Sequence, residues 1–287
     1  VSLKVLYRGA LSSCNYACGY CPFAKHHETD AEHEADAQQL ARFMSWCEQF
    51  NGPLDVFFTP WGEALTQRRY QQALTRLTHL SHVGKAAVQT NLSARLDWVD
   101  EANVEKLGIW ATFHPDQVQR ERFVAQCLAL HRRGVSFSVG VVGQPGAVDD
   151  LHALRSELPS DVYVWVNAVK ALAATYTPQV LEAFAHVDPL FPLNLQAHPS
   201  EGRACAGGHT VISVDGDGVA RTCHFIREPI GNVYDVDFVA TALKPRACTA
   251  KTCGCHIGYV HLAHLGLERV FGAGILERVP RQRPTSR

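Results

Sequence analysis

No apolar run in this chain of 287 residues approaches the roughly 20 residues that a membrane-spanning helix needs. The first residues also lack the basic, apolar and small-residue order of a secretory signal. A soluble, cytoplasmic protein with no membrane partner is expected. An excess of charge is missing too: 27 basic residues face 28 acidic ones, which leaves no net field to attract nucleic acid. No internal repeat or low-complexity segment interrupts the chain, and its length fits one large domain with a small appendage. Cysteine, by contrast, is plentiful. Ten cysteines in a long chain without a secretory signal suit metal ligation in a reducing compartment better than a disulfide framework. Three lie near the N-terminus and five between Cys205 and Cys255, whereas Cys47 and Cys127 stand alone and read as buried small hydrophobes.

Strand-like apolar runs near residues 3–8, 54–59, 85–90, 107–113, 135–142 and 162–167 alternate with amphipathic stretches such as Ala35 to Phe50 and Arg68 to Leu80. This alternation predicts βα units around a parallel sheet, and six of them make an α/β fold of the partial (β/α)6, TIM-like barrel type. The pattern changes after about residue 197. There Thr210 to Val214, the Asp215-Gly216-Asp217-Gly218 turn and Val219 to Arg221 predict a β-hairpin. The expected organisation is a barrel over 1–197, a small hairpin-containing domain over 198–277, and a frayed tail over 278–287 carrying Arg281, Arg283 and Arg287.

The segment Cys14-Asn15-Tyr16-Ala17-Cys18-Gly19-Tyr20-Cys21 places three thiols at C-x3-C-x2-C spacing directly after the first strand. Three thiolates on one loop can hold three irons of a [4Fe–4S] cluster, leaving one iron open to a small molecule. Zinc with a distant fourth ligand, or reduced thiols without metal, are the alternatives. The spacing and the strand–loop context resemble the radical SAM superfamily, whose core is a six-unit barrel. The resemblance implies that S-adenosylmethionine (SAM) chelates the open iron, and that one electron from the cluster cleaves it to a 5′-deoxyadenosyl radical that abstracts hydrogen from substrate. Cys14, Cys18 and Cys21 then carry the chemistry.

Residues just past each strand are where a parallel barrel places its site. The resemblance implies that Tyr20 packs beside the adenine. It also implies that Thr59-Pro60-Trp61-Gly62-Glu63 corresponds to a Gly-Gly-Glu motif, with Trp61 in place of the first glycine, whose acceptors bind the methionine ammonium. Glu63 also reads as a plain acid at a helix N-terminus. Asn91 is either a polar contact or a turn residue. Thr112 can meet ribose or carboxylate, and His114 either faces substrate or makes a structural hydrogen bond. Ser138 and Gly140 lie on a strand similar to the family's glycine-containing strand against adenine, although such a glycine also relieves crowding. Trp165 and Asn167 offer an apolar wall and an amide. Lys25, His26 and His27 either line the mouth and favour an anionic group or form a solvated face.

The second cysteine group, Cys205, Cys223, Cys248, Cys253 and Cys255, resembles the SPASM and twitch auxiliary-cluster domains of the same superfamily. Five thiols fit one auxiliary [4Fe–4S] cluster rather than two. Cys205 and Cys223 rank first as its ligands, Cys253 and Cys255 next, and Cys248 is the expected outsider; zinc is the alternative here too. Such a cluster can accept an electron in a net oxidation, whereas redox-neutral chemistry needs a hydrogen donor, for which Cys248 or Cys127 are candidates. No space for a leader-binding domain precedes the first strand, which favours a small-molecule or short-peptide substrate, with a flavodoxin- or ferredoxin-type reductant. A non-catalytic iron–sulfur electron carrier, a zinc-stabilised binding module and sulfur-insertion chemistry are the competing readings.

Overall fold

The computed structural model describes residues 2–21, 23 and 26–282; Lys25, Arg283 and Arg287 lie outside the described residues. The first half runs β1 (Leu3–Arg8), α1 (Asp30–Gln49), β2 (Leu54–Phe58), α2 (Arg68–His79), β3 (Val83–Thr90), β4 (Leu107–Phe113), α3 (Arg120–Arg132), β5 (Ser136–Gly143), α4 (Val148–Glu157), β6 (Tyr163–Ala168) and α5 (Pro178–Val187). A short 3-10 helix, Asp97–Glu101, replaces the α-helix between β3 and β4. The six strands are parallel and adjacent in chain order, the arrangement of a partial (β/α)6 barrel. The chain then forms α6 (Phe191–Leu195), β7 (His198–Pro199), β8 (Ala204–Cys205), β9 (Val211–Asp215), β10 (Val219–Arg221), β11 (Pro229–Asn232), α7 (Phe238–Ala242), β12 (Arg246–Ala247), β13 (Thr252–Cys253), α8 (His256–Tyr259) and α9 (Leu267–Phe271).

Both faces of a parallel sheet are covered, so its strands are continuously apolar and alternation decides only which core each side chain enters. Val5, Tyr7, Val56, Phe58, Ile109, Ala111, Val164 and Val166 point to the helical layer. Leu6, Phe57, Ala87, Trp110, Tyr163 and Trp165 point inward and meet Tyr259, Val260, Leu262, Leu267, Phe271, Ile275 and Leu276. The barrel interior is thus filled by the C-terminal segment.

The predicted hairpin is present as β9 and β10, with Gly218 at φ +82° closing its turn and Asp215 Oδ1 accepting from the Asp217 and Val219 amides. It does not stand apart. β9 pairs in parallel with β1, from Lys4 opposite Val211 to Arg8 opposite Asp215, giving one nine-stranded sheet in the order β11-β10-β9-β1-β2-β3-β4-β5-β6. The region expected as a separate domain therefore extends the barrel's sheet and supplies its inner core. The expected frayed tail is corrected at its first residue: Arg278 is 1% exposed. Its guanidinium lies 4.4 Å from the Trp165 ring centre and 3.9 Å from an Asp188 carboxylate oxygen. Among the described residues no helix is long and apolar enough to cross a membrane.

Candidate active site

Two buried acids hold the start of the cysteine loop. Asp36, on α1, accepts from the Leu11 amide at 2.9 Å, from Tyr70 Oη at 2.9 Å and from Arg69 Nε at 2.8 Å. Glu28 accepts from the Ser12 amide at 2.7 Å and from Ser13 Oγ at 2.5 Å; burial opposes its charge, but these donors hold its carboxyl below the usual range. The capping box of α1, in which Thr29 and Glu32 exchange hydrogen bonds, fixes that helix one residue later. On the other flank the Gly62 amide donates to Leu11 O and the Glu63 amide to Ser13 O, both at 3.0 Å. A β-carbon on Gly62 would lie 2.0 Å from Ser13 O, so only glycine permits this crossing. The loop after β2 is thereby stitched to the cysteine loop after β1.

Cys14, Cys18 and Cys21 all line one cavity of about 300 Å³ at the C-terminal ends of the strands. Cys14 Sγ accepts from the Tyr16 amide at 3.4 Å and Asn91 Nδ2 at 3.8 Å, and Cys21 Sγ accepts from the Phe23 amide at 3.4 Å. Burial pushes the Cys14 thiol up and the Tyr16 amide opposes it. Thiols on one loop with N–H donors to sulfur fit an iron–sulfur cluster. No three His, Cys, Asp or Glu side chains among the described residues gather around a single ion. A cubane instead needs its thiols spread around a larger space.

Of the residues read from sequence, Trp61, Gly62, Glu63, Asn91, Thr112, His114, Trp165 and Asn167 line this cavity. Glu63 is buried and already accepts from Thr90 Oγ1 (2.7 Å), the Asn91 amide (2.6 Å) and the Leu65 amide (3.1 Å), ties that cap the 3-10 turn and clamp β3 to the loop after β2. His114 Nδ1 shares a 2.7 Å hydrogen bond with Tyr20 Oη and lies 3.5 Å from Cys18 Sγ, and burial pulls its pKa down to about 4, so the ring is neutral at physiological pH. Tyr20 itself stacks on His114 and is outside the lining, where Tyr16 stands instead. Ser138 and Gly140 do not reach the cavity. Ser138 donates to Glu277 O at 2.6 Å and accepts from Trp165 Nε1 at 3.0 Å, while a β-carbon on Gly140 would fall 2.1 Å from the Trp165 ring. The glycine relieves crowding by tryptophan. His26 turns to Ser12 and Glu32, and neither it nor His27 lines the cavity.

Sequence reasoning missed Arg8, Trp110, Phe225 and His256, which also line the cavity. Arg8 ends β1, so the rule that used strand ends for the other residues could have found it. Its Nε donates to Thr59 O at 2.9 Å and its guanidinium lies 4.3 Å from the Trp61 ring centre. Burial lowers its pKa to about 10, partly offset by Cys255, which leaves it cationic.

The C-terminal thiols divide differently from the expected ranking. Cys205, Cys223 and Cys248 line a second cavity of about 640 Å³. The Cys253 thiol, raised to about 12 chiefly by burial, lies within electrostatic reach of Cys223, Cys255, Cys248 and Cys205. Cys255 alone of the five lines the first cavity, together with the N-terminal thiols. Cys248 therefore stands with Cys205 and Cys223 in one lining, while Cys253 and Cys255 both lie outside it. Gly254 and the turn into α8, for which Cys255 is the N-cap position, separate Cys255 from Cys253. Phe225 lines both cavities. Cys127 is buried in the helix-side core, away from both.

No protein-family model matches the chain, and no curated protein matches it. Solved structures do. Hexahistidine-tagged anSMEcpe with bound AdoMet aligns with a TM-score of 0.51 at 14% identity, over 82% of this chain and 79% of that one. Native anSMEcpe with bound AdoMet and Kp18Cys peptide gives 0.50 at 14% identity over 82% and 79%. Streptococcus suis SuiB bound to S-adenosylmethionine gives 0.50 at 13% identity over 86% of this chain and 63% of that one. At these identities the likeness is one of fold.

Proposed function

We propose that this chain is a radical SAM enzyme in which Cys14, Cys18 and Cys21 hold a [4Fe–4S] cluster beside bound SAM. The substrate, a small molecule or short peptide, occupies the space between that loop and Cys255. One observation carries this reading: three thiols of a single loop open on one cavity at the strand ends of a barrel whose fold recurs in AdoMet-bound structures. When bound, the cluster and SAM would supply a 5′-deoxyadenosyl radical. The chain's own residues bind, orient and exclude water. Glu63 keeps one lone-pair position beyond its three internal donors, enough for one contact from an ammonium. Arg8 offers a cation to a carboxylate of SAM or of substrate. Neutral His114, fixed by Tyr20, steadies the Cys18 side of the loop. The Kp18Cys peptide bound in a structure of the same fold supports the peptide side of the substrate class.

The cavity around Cys205, Cys223 and Cys248, with Cys253 beside it, supports one auxiliary [4Fe–4S] cluster with four protein ligands, fed by a flavodoxin- or ferredoxin-class donor. Full ligation leaves no open iron there, which counts against sulfur insertion. A bare electron carrier would have no use for the first cavity, and a zinc module would need donors gathered at a point.

Iron and acid-labile sulfide on anaerobically purified protein, followed by reduction with SAM and chromatography for 5′-deoxyadenosine, test the reading. About eight irons per chain and 5′-deoxyadenosine are expected. Zinc without sulfide and no cleavage would overturn it, as would cleavage that persists when Cys14, Cys18 and Cys21 are all changed to Ala.

A further inference from the structure

Arg8 and Trp61 line two cavities. One is the first cavity; the other is a side cavity of about 260 Å³ that they share with Asp215, Arg221, His224 and Arg227. Sheet register brings the charged groups together. Leu6 faces the inner core, so Arg8, two residues further along β1, stands on the same face at the strand end. Leu6 is opposite Ser213 and Arg8 is opposite Asp215 on β9, and Ser213 is in turn opposite Arg221 on β10. Three arginines and one acid therefore line the side cavity. Asp215 is already engaged: Oδ1 accepts from the Asp217 and Val219 amides and Oδ2 from Arg221 Nη1 at 2.7 Å. His224 adds no charge, because burial, with Arg8 and Arg221 nearby, holds its pKa well below the ordinary range.

The arginines keep donors in reserve. Arg8 uses Nε and Nη2 on Thr59 O and Oγ1, and no ion pair ties it to a carboxylate among the described residues. Arg221 uses Nε on Arg227 O and Nη1 on Asp215. The Arg227 side chain makes no hydrogen bond or ion pair among the described residues. Nη1 of Arg8, Nη2 of Arg221 and the Arg227 guanidinium are left over, and unlike Nε and Nη1 of Arg278 none of these atoms is enclosed. Like charges drawn to one cavity repel, so the arrangement points to an anion that draws them together. Guanidinium forks match phosphate oxygens. A phosphate monoester carries about −1.5 to −2 charge at pH 7, which suits the surplus that three arginines leave over one acid, whereas a carboxylate answers only half of it.

We propose that this side cavity binds a phosphate group of the substrate through Arg8, Arg221 and Arg227, while the reacting carbon occupies the first cavity. The proposal rests on the radical SAM reading and deepens it, narrowing the substrate to a phosphorylated molecule and the anion that Arg8 meets to a phosphate. Arg8 and Trp61 join the two parts of the site. The guanidinium lies 4.3 Å from the indole centre, and Trp61 is 43% exposed, so the pair forms the shared border across which such a substrate would lie.

Inorganic phosphate is the probe, titrated calorimetrically into the anaerobically purified full chain without SAM or reductant, so that the result does not depend on radical chemistry. Saturable binding of about one phosphate per chain is expected, weakening as ionic strength rises. Arg227→Ala removes no hydrogen bond within the fold and is expected to weaken binding by about tenfold or more. Arg132→Ala, at an exposed arginine of α3 outside the side cavity, is expected to leave it unchanged. No saturable binding, undiminished binding by Arg227→Ala, or an equal loss in both variants overturns the phosphate site. Acetate bound as tightly as phosphate also overturns it, by making the site one for carboxylates. The radical reading fails separately. A chain that forms 5′-deoxyadenosine with SAM and reductant but binds no phosphate refutes this proposal alone, whereas phosphate bound through Arg227 by a chain that forms none upholds the anion site and refutes the radical chemistry of its substrate.

Discussion

Gly140 on β5 and Trp165 on β6 share one space: a β-carbon on the glycine would lie 2.1 Å from Cδ2 of the indole. The ring cannot retreat. Its Nε1 is tied to Ser138 Oγ at 3.0 Å, the Arg278 guanidinium sits 4.4 Å from its centre, and the residue is 2% exposed. Gly140→Ala is therefore expected to destabilise the fold by about 1–3 kcal/mol, the range for overpacked cores. Denaturant titration reads this directly. An unchanged midpoint would mean that the indole has room that the packing does not show.

Glu63 separates a structural role from a binding role. Its Oε2 accepts from the Asn91 amide at 2.6 Å, and its Oε1 accepts from both Thr90 Oγ1 and the Leu65 amide. Glu63→Gln turns one of these oxygens into a donor, which faces an N–H whichever way the amide is flipped. A loss of about 1–3 kcal/mol is expected without any SAM present, because a buried donor is left unmatched. Equal stability of the two forms in the absence of SAM would remove the capping role and leave ligand binding as the reason for the acid.

Much of this fold could be read from the sequence because the barrel strands are buried on both faces and so stand out as apolar runs. β1 and β4 fall where expected, β3 begins earlier at Val83, and β5 and β6 are shifted by one residue. The cysteine loop was legible for a similar reason: its information is local. What failed was non-local. Whether Gly140 faces a nucleotide or an indole depends on Trp165, a strand away. Cys253 and Cys255 are two residues apart, yet only Cys255, at the start of α8, lines the first cavity. Arg278 looked like the first residue of a polar tail because the two tryptophans and the acid that enclose it come from β4, β6 and the turn after α5.

Acid should weaken the fold in a defined window. His261 is 8% exposed, and burial, reinforced by Lys4, lowers its pKa from 6.5 to about 4. Above pH 6.5 neither the folded nor the unfolded chain is protonated there, so nothing is lost. Between pH 6.5 and about 4 the unfolded chain takes up a proton that the folded ring refuses, and stability falls as the pH falls. The loss from this one ring is on the order of 3 kcal/mol once pH 4 is reached. Buried His256 and His224 are displaced in the same direction and steepen the slope. His261→Gln is expected to flatten part of it, measured as denaturation midpoints at pH 7 and pH 5; an identical pH dependence in the variant would show that His261 is protonated in the folded state.

The buried Arg278 gives the last prediction. Its charge is opposed by Asp188 at 3.9 Å, while Nε and Nη1 have no hydrogen-bond partner. Asp188 is better served, accepting from Tyr163 Oη, the Val166 amide and the Leu190 amide, although burial still raises its pKa and Arg278 only partly offsets this. Removing the arginine leaves the carboxylate without its cation and opens a hole between Trp110 and Trp165. Arg278→Ala is therefore expected to cost about 3–5 kcal/mol. Arg278→Met refills the hole and ends the desolvation of an under-bonded guanidinium, so its loss should be clearly smaller in the same denaturant titration. If the two variants lose equally, the ion pair rather than the packing between the tryptophans fixes the C-terminal segment in the barrel. If Arg278→Ala loses nothing, the buried cation contributes no stability and its place in the inner core needs another cause.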